Sequence, residues 1–435
     1  MDRIVDLVRK KRDGEELNLE ELERLINGYT RGEIQDYQMA AFLMAGCCNE
    51  FSEAEAASLT AAMLRCGQRV ALDDVEKPKV DCHSTGGVGD KVGLIAAAIA
   101  ASAGLAVPRI VEPGIGHTGG SLDKLRSIPG FRTNLTKDEF EDLVRRHGLA
   151  FAEQSNELAP ADKKLYALRD ATATVDDLAL IAASTLSKKM AEGLDALVLD
   201  VKVGKGSLLS GKTEARRLAQ LIISIGRRMD VKLQALLTDM DQPLGFTVGN
   251  ALEIMEASQT LQNQGPPDLA GLGVELAARM IYLGKGDFSI EQARALAQQC
   301  LTEGTAFALL QTVIAAQGGD ANCLTDFSLL PNATGEKLIT SPREGYISRI
   351  NADDIGRAAA MLGAGRERMD QQIDPAVGII LQAKVGDMVQ AGQGLCALYF
   401  TDDTHLAEAE QLVEDAFRLS SNPPEQRDLV LDLVQ

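Results

Sequence analysis

Asp81-Cys82-His83-Ser84-Thr85-Gly86-Gly87-Val88-Gly89-Asp90-Lys91 is the stretch that decides the fold. Residues 78–82 ahead of it read as a short strand, and the uniformly apolar residues 92–99 behind it read as a buried helix. A glycine turn from strand into helix aims backbone N–H groups and the positive end of the helix dipole at one point, which suits an anion. Taken alone, the pattern also fits a tight loop. A second turn repeats the design, Gly114-Ile115-Gly116-His117-Thr118-Gly119-Gly120-Ser121-Leu122-Asp123-Lys124, and follows the strand-like run Val107-Pro108-Arg109-Ile110-Val111. Two such turns at the ends of neighbouring parallel strands face one crevice, where open α/β sheets hold ligands.

Around this centre the chain divides into regions of different periodicity. Residues 1–67 read as a helical lobe, with capping-box spacing at Asn18/Glu21 and Ser52/Glu55 ahead of helically spaced apolar positions. Short strands at 79–82, 106–111, 197–203 and 231–237 alternate with helices, which predicts an α/β lobe with a parallel sheet over 77–157 and 193–335. A helical segment, 158–192, interrupts it and is expected to pack back on the first helices. That arrangement leaves a cleft between the lobes. Residues 336–435 read as a C-terminal α+β module, and the Gly-Asp turn within 378–392 suggests a lipoyl-like hairpin with a structural role.

Composition narrows the function. A net charge of −19 opposes nucleic acid or an anionic membrane as main partner. No apolar run reaches the roughly 20 residues that span a bilayer, and Met1-Asp2-Arg3 does not begin a signal peptide, so a cytoplasmic protein is expected. The seven cysteines lack Cys-x-x-Cys pairs and zinc spacing, which indicates neither a disulfide framework nor a metal site. Of the four histidines, His83 and His117 stand out because they lie in the glycine turns.

The glycine turns, together with 10–14, 34–39, 158–170, 173–176, 187–189 and 200–204, resemble the class II nucleoside phosphorylases, the family of thymidine and pyrimidine-nucleoside phosphorylases. The resemblance runs over essentially the whole chain. It implies a homodimer formed through the helical lobe, a pyrimidine nucleoside in the cleft, and a base-binding group of His83, Tyr166, Arg169, Ser184 and Lys188. Breaking an N-glycosidic bond puts negative charge on the departing base, which fixed cations and donors stabilise. Anthranilate phosphoribosyltransferases share the architecture and would bind a diphosphate with magnesium, but Tyr166-Ala167-Leu168-Arg169-Asp170 and Ser187-Lys188-Lys189 favour the nucleoside family. No cofactor is expected. Lys91 stands where some relatives hold a monovalent cation, so no metal is expected either.

The anion site departs from the family pattern. Cys82 stands where the pattern has lysine, Gly93 where it has serine, and Val111-Glu112-Pro113 where it has Ser-Gly-Arg. Ser84, Thr118 and Ser121 remain to receive an anion or a water. A carboxylate at 112 opposes a phosphate and suits a general base, as in glycoside hydrolysis. The expectation is therefore a nucleoside hydrolase on a phosphorylase frame, with His83, Glu112, Arg169 and Lys188 as catalytic groups. A phosphate-dependent phosphorylase is the alternative, and a catalytically silent nucleoside-binding protein a third. Arg109 stands where ribose-accepting members carry a cation, which assigns it to the sugar 2′-hydroxyl and favours uridine-like substrates.

Overall fold

The computed structural model describes residues 3–114, 116–366 and 371–435. Met1, Asp2 and Ile115 of the second glycine turn lie outside them. Four helices open the chain: α1 (Ile4–Arg12), α2 (Leu19–Thr30), α3 (Asp36–Asn49) and α4 (Glu53–Arg65). Both expected capping boxes form, Asn18 with Glu21 and Ser52 with Glu55, each closing two backbone donors at a helix start.

The α/β part begins with β1 (Val80–Ser84), α5 (Val92–Ser102), β2 (Val107–Val111), α6 (Ser121–Arg126), α7 (Lys137–His147) and β3 (Leu149–Glu153). Then come α8 (Pro160–Ala171) and α9 (Leu178–Ala191). These two helices share an apolar core with the first four through Leu165, Leu168, Leu180 and Ala183. The chain returns to the sheet in β4 (Ala196–Val203), α10 (Lys212–Arg227), β5 (Lys232–Asp239), β6 (Thr247–Val248), α11 (Asn250–Leu261) and α12 (Pro267–Lys285).

Strands β1, β4 and β5 pair in parallel, Val80 opposite Ala196 and Ala196 opposite Lys232. Strand β2 pairs with β3 instead, and a single parallel bridge between Lys79 and Ala106 joins the two sheets. Helices α5 and α12 cover one face, α9 and α10 the other. Helix α5 is apolar all round because it is buried all round, from Val92 to Ala101.

Two further helices, α13 (Ile290–Thr302) and α14 (Thr305–Ala316), pack on the α5 side and lead into the C-terminal α+β module. That module holds β7 (Gly335–Thr340), β8 (Gly345–Ile350), α15 (Ala352–Ala359), β9 (Gly378–Leu381), β10 (Met388–Val389), β11 (Gly394–Phe400), α16 (Leu406–Ala416) and β12 (Phe417–Ser420). The tail strand β13 (Val430–Val434) leaves the module and adds antiparallel to β5. The lipoyl-like hairpin expected within 378–392 does not form. Strand β9 lies between β6 and β11, whereas β10 pairs with β8 in another sheet, so the Gly-Asp turn connects two sheets. Lys384 is tied down there by the carbonyls of Pro243 and Gly245 and by Asp268.

Lys91, at the mouth of α5, fixes the first glycine turn to the segment that enters the module. Its ammonium donates to the carbonyl and hydroxyl of Thr247, at 2.9 and 3.0 Å, and pairs with the buried Glu256. Truncating one partner of a buried pair typically costs about 3–5 kcal/mol, because the other charge stays in place. Lys91→Met should therefore lower the thermal midpoint clearly. The double variant Lys91→Met/Glu256→Gln, in which no unpaired charge remains, should regain part of the loss.

Candidate active site

The two glycine turns and helices α8 and α9 enclose a cleft of about 870 Å³, its mouth included. Lys124 joins the turns, donating to the carbonyl of Asp90 in the first at 3.0 Å and of Gly119 in the second at 2.9 Å, with Glu253 as its counter-ion. Gly86 and Gly89 have φ of +92° and +71°, and a Cβ on Gly89 would meet the carbonyls of Leu244 and Thr247, so this path needs glycine. Ser84 accepts from the amide of Gly86 at 3.1 Å and donates to Asp90.

His83, Tyr166, Arg169, Ser184 and Lys188 all line this one cleft, as do Ser84, Arg109, Glu112, Thr118 and Ser121. His117 does not. It faces the C-terminal module, with Nδ1 3.4 Å from Asp353.

Each charge in the cleft has its own surroundings. Arg169 donates to three backbone carbonyls, Thr174 at 3.2 Å, Leu180 at 3.1 Å and Val175 at 2.7 Å. Its rotamer is thereby fixed without a direct counter-ion among the described residues. The buried Asp162 pairs with Lys188 at 3.1 Å. Lys188 also lies 3.2 Å from Glu112 and 5.5 Å from the centre of the Tyr166 ring. Burial works against the Lys188 ammonium, but Asp162 and then Glu112 outweigh it and hold its pKa above the usual lysine value.

His83 lies 3.8 Å from Glu112. Burial first, and then Lys188 and Lys189, push its pKa well below the ordinary histidine value, so the ring is neutral at pH 7 and the contact with Glu112 is no ion pair. A neutral imidazole can donate one hydrogen bond to a base oxygen without carrying charge.

Asp81 and Lys189 lay inside the motifs without being assigned a role from sequence. Asp81 is fully buried and accepts from Arg109 at 2.7 Å and Lys189 at 2.6 Å. Lys189 also pairs with Glu192 at 2.7 Å and donates to the carbonyl of Ile110 at 3.1 Å. The available signal was a pair of lysines in helix α9, whose other residues are apolar or small hydroxyls, which implies buried counter-ions.

The depressed pKa of His83 also links stability to pH. The unfolded chain takes up a proton below about pH 6.5, the ordinary histidine value, while the folded chain resists doing so. The contribution is therefore intact above that pH and is lost progressively as pH falls towards the folded value. Thermal unfolding of His83→Asn should decline less than that of the unaltered protein between pH 6.5 and 5.

Three regions match known families: residues 5–67 the helical bundle domain and 76–307 the a/b domain of the glycosyl transferase family, and 346–420 the pyrimidine nucleoside phosphorylase C-terminal domain. The pyrimidine-nucleoside phosphorylase of Geobacillus stearothermophilus is 44% identical over 432 residues, 99% of this chain and 100% of that one. That of Bacillus subtilis (strain 168) is 45% identical over 397 residues, 91% and 92% of the two chains. Among solved structures, anthranilate phosphoribosyltransferase from Thermus thermophilus shares the fold, with a TM-score of 0.56 at 20% identity over 72% of this chain and 99% of that one.

These relatives overturn the hydrolase expectation: proteins this similar over almost the whole chain are phosphorylases. The physical flaw lay in treating Glu112 as a free base. Its carboxylate is engaged by Lys188, a residue too far along the sequence for the pairing to be seen there. The chain is an enzyme, and it belongs to the class II nucleoside phosphorylase family.

Proposed function

We propose that this enzyme is a phosphate-dependent pyrimidine-nucleoside phosphorylase. The observation that carries the reading is the 44% identity, over 99% of this chain, to a relative of that name. It is supported by the convergence of His83, Tyr166, Arg169, Ser184 and Lys188 on one cleft. In the reaction, a phosphate oxygen forms a bond to the anomeric carbon as the bond from that carbon to the base nitrogen breaks. The electron pair passes to the base. Arg169 and Lys188 hold the developing charge at the base oxygens, neutral His83 donates to base O2, Ser184 hydrogen-bonds to the ring edge, and solvent returns a proton to the released base. Such preorganised donors act strongly in a cleft that excludes water.

Within this reading Glu112 moderates Lys188 and activates nothing. Uridine should be consumed only when phosphate is present, with ribose 1-phosphate as sole sugar product by chromatography. Glu112→Gln should keep that dependence and stay within about tenfold of the parent rate, whereas Arg169→Met should lose about 1.5–3 kcal/mol in kcat/KM, the worth of one hydrogen bond to a charged group. Free ribose in phosphate-free buffer would refute the assignment.

A homodimer through the helical lobe, in a cytoplasmic setting, belongs to the same proposal. Its support is the exposure of Val5 on α1 and of Tyr37 and Met44 on α3, apolar groups left on the outer surface of that lobe. Light scattering should give twice the chain mass for the protein as it stands and a monomer for Tyr37→Glu/Met44→Glu.

A further inference from the structure

Asp90 and Glu112 are the two carboxylates that line the cleft among the described residues. Asp90 is engaged within the protein, accepting from Ser84 and lying 3.7 Å from the buried Lys202. Glu112 is only half engaged. Its Oε2 faces Lys188 at 3.2 Å, while nothing among the described residues donates to Oε1, which lies 3.8 Å from the neutral ring of His83, beyond hydrogen-bond range. Lys188 does not depend on it, because Asp162 already hydrogen-bonds the ammonium at 3.1 Å. A carboxylate accepts hydrogen bonds and donates none, so Oε1 calls for a donor from a ligand.

The backbone fixes where that oxygen is presented. Glu112 follows directly on β2, and its carbonyl accepts from the amide of Leu122 at the start of α6, at 3.0 Å. Pro113 restricts the residue before it to extended backbone. A Cβ on Gly120 would overlap the Glu112 carbonyl, so the two ends of the second glycine turn close on residue 112.

The neighbours of Glu112 identify the donor. In the phosphorylase reading His83 meets base O2 and Lys188 the developing charge on the base. In a pyrimidine ribonucleoside, base O2 and the sugar 2′-hydroxyl stand on carbons next to either end of the glycosidic bond, so a group beside His83 comes to the 2′-hydroxyl before the 3′- or 5′-hydroxyl. On this side the base itself offers an acceptor oxygen, which a carboxylate cannot use. Arg109, expected from sequence to meet the 2′-hydroxyl, directs Nη1 to Asp81 at 2.7 Å and packs Nη2 against Gly93.

We propose that Glu112 accepts a hydrogen bond from the ribose 2′-hydroxyl through Oε1 and thereby selects ribonucleosides over 2′-deoxyribonucleosides. This rests on the phosphorylase reading. It makes Glu112 a specificity residue, which holds the sugar and takes no part in breaking the glycosidic bond, and it takes the place of the sequence assignment of that hydroxyl to Arg109.

The test is the ratio of kcat/KM for uridine to that for 2′-deoxyuridine, at saturating phosphate, in the unaltered enzyme and in Glu112→Ala. Comparing ratios cancels the intrinsic difference in lability between the two glycosidic bonds. It also cancels any change in Lys188, which acts on the base that both substrates share. Glu112→Ala leaves Lys188 paired with Asp162, and continued cleavage of 2′-deoxyuridine reports that the variant is folded. The ratio should fall about tenfold or more in the variant, as for the loss of one hydrogen bond to a charged group, and 3′-deoxyuridine should suffer from the substitution as uridine does. A smaller fall overturns the proposal. So does a loss that spares 3′-deoxyuridine, which would move the contact to the 3′-hydroxyl, or a ratio that Glu112→Ala leaves intact and Arg109→Lys lowers, which would return the 2′-hydroxyl to Arg109. If the unaltered enzyme cleaves uridine without phosphate, the phosphorylase reading fails and this assignment with it; if it requires phosphate and Glu112→Ala keeps the ratio, only the assignment fails.

Discussion

Asp81 is the constraint on which the site is built. A carboxylate buried near the start of β1 is tolerable only if cations meet it, and it draws Arg109 from β2 and Lys189 from α9 to the same point. Burial favours its neutral form, but Arg109 and then Lys189 outweigh that and keep its pKa below the usual carboxylate range. One buried charge therefore fixes the two strands that carry the glycine turns relative to the helix that carries Ser184 and Lys188. Removing any member leaves the others charged and dry, so the cluster specifies geometry more than it adds stability.

Charge is then partitioned along the cleft. At the end lined by α8 and α9, Arg169 is held by carbonyls, which orient it without neutralising it, and Lys188 is balanced between Asp162 and Glu112. At the opposite end, the hydroxyls of Ser84 and Ser121 line the cleft with Arg109, whose Nε is buried without a partner among the described residues. On the phosphorylase proposal, a nucleoside bound between them sets its base over one positive group and its anomeric carbon towards another. That polarity is what displacement of an anionic base by an anion requires.

Much of this was legible in the sequence, because glycine turns and helical periodicity are local signals. The turns at 81–91 and 114–124 do meet in one crevice, and the helical, parallel-sheet and α+β parts follow the changes in periodicity. What was not legible depended on pairing at a distance. Strand β3 is short and follows α7 directly, and the tail strand β13 takes its place only because β5 has a free edge. The 378–392 segment carries a turn signal, but a turn does not dictate which strand each arm pairs with. Glu112 was misread for the same reason: an acidic residue in an anion site looks like a base until the lysine beside it is seen.

The reverse reaction tests the account most directly, since a phosphorylase transfers its glycosyl group to either acceptor, whereas transfer to water is effectively one-way. Incubated with uracil and ribose 1-phosphate, the enzyme should form uridine and release one phosphate for each uridine made. Failure to form uridine, by enzyme that cleaves uridine in the forward direction, would contradict it.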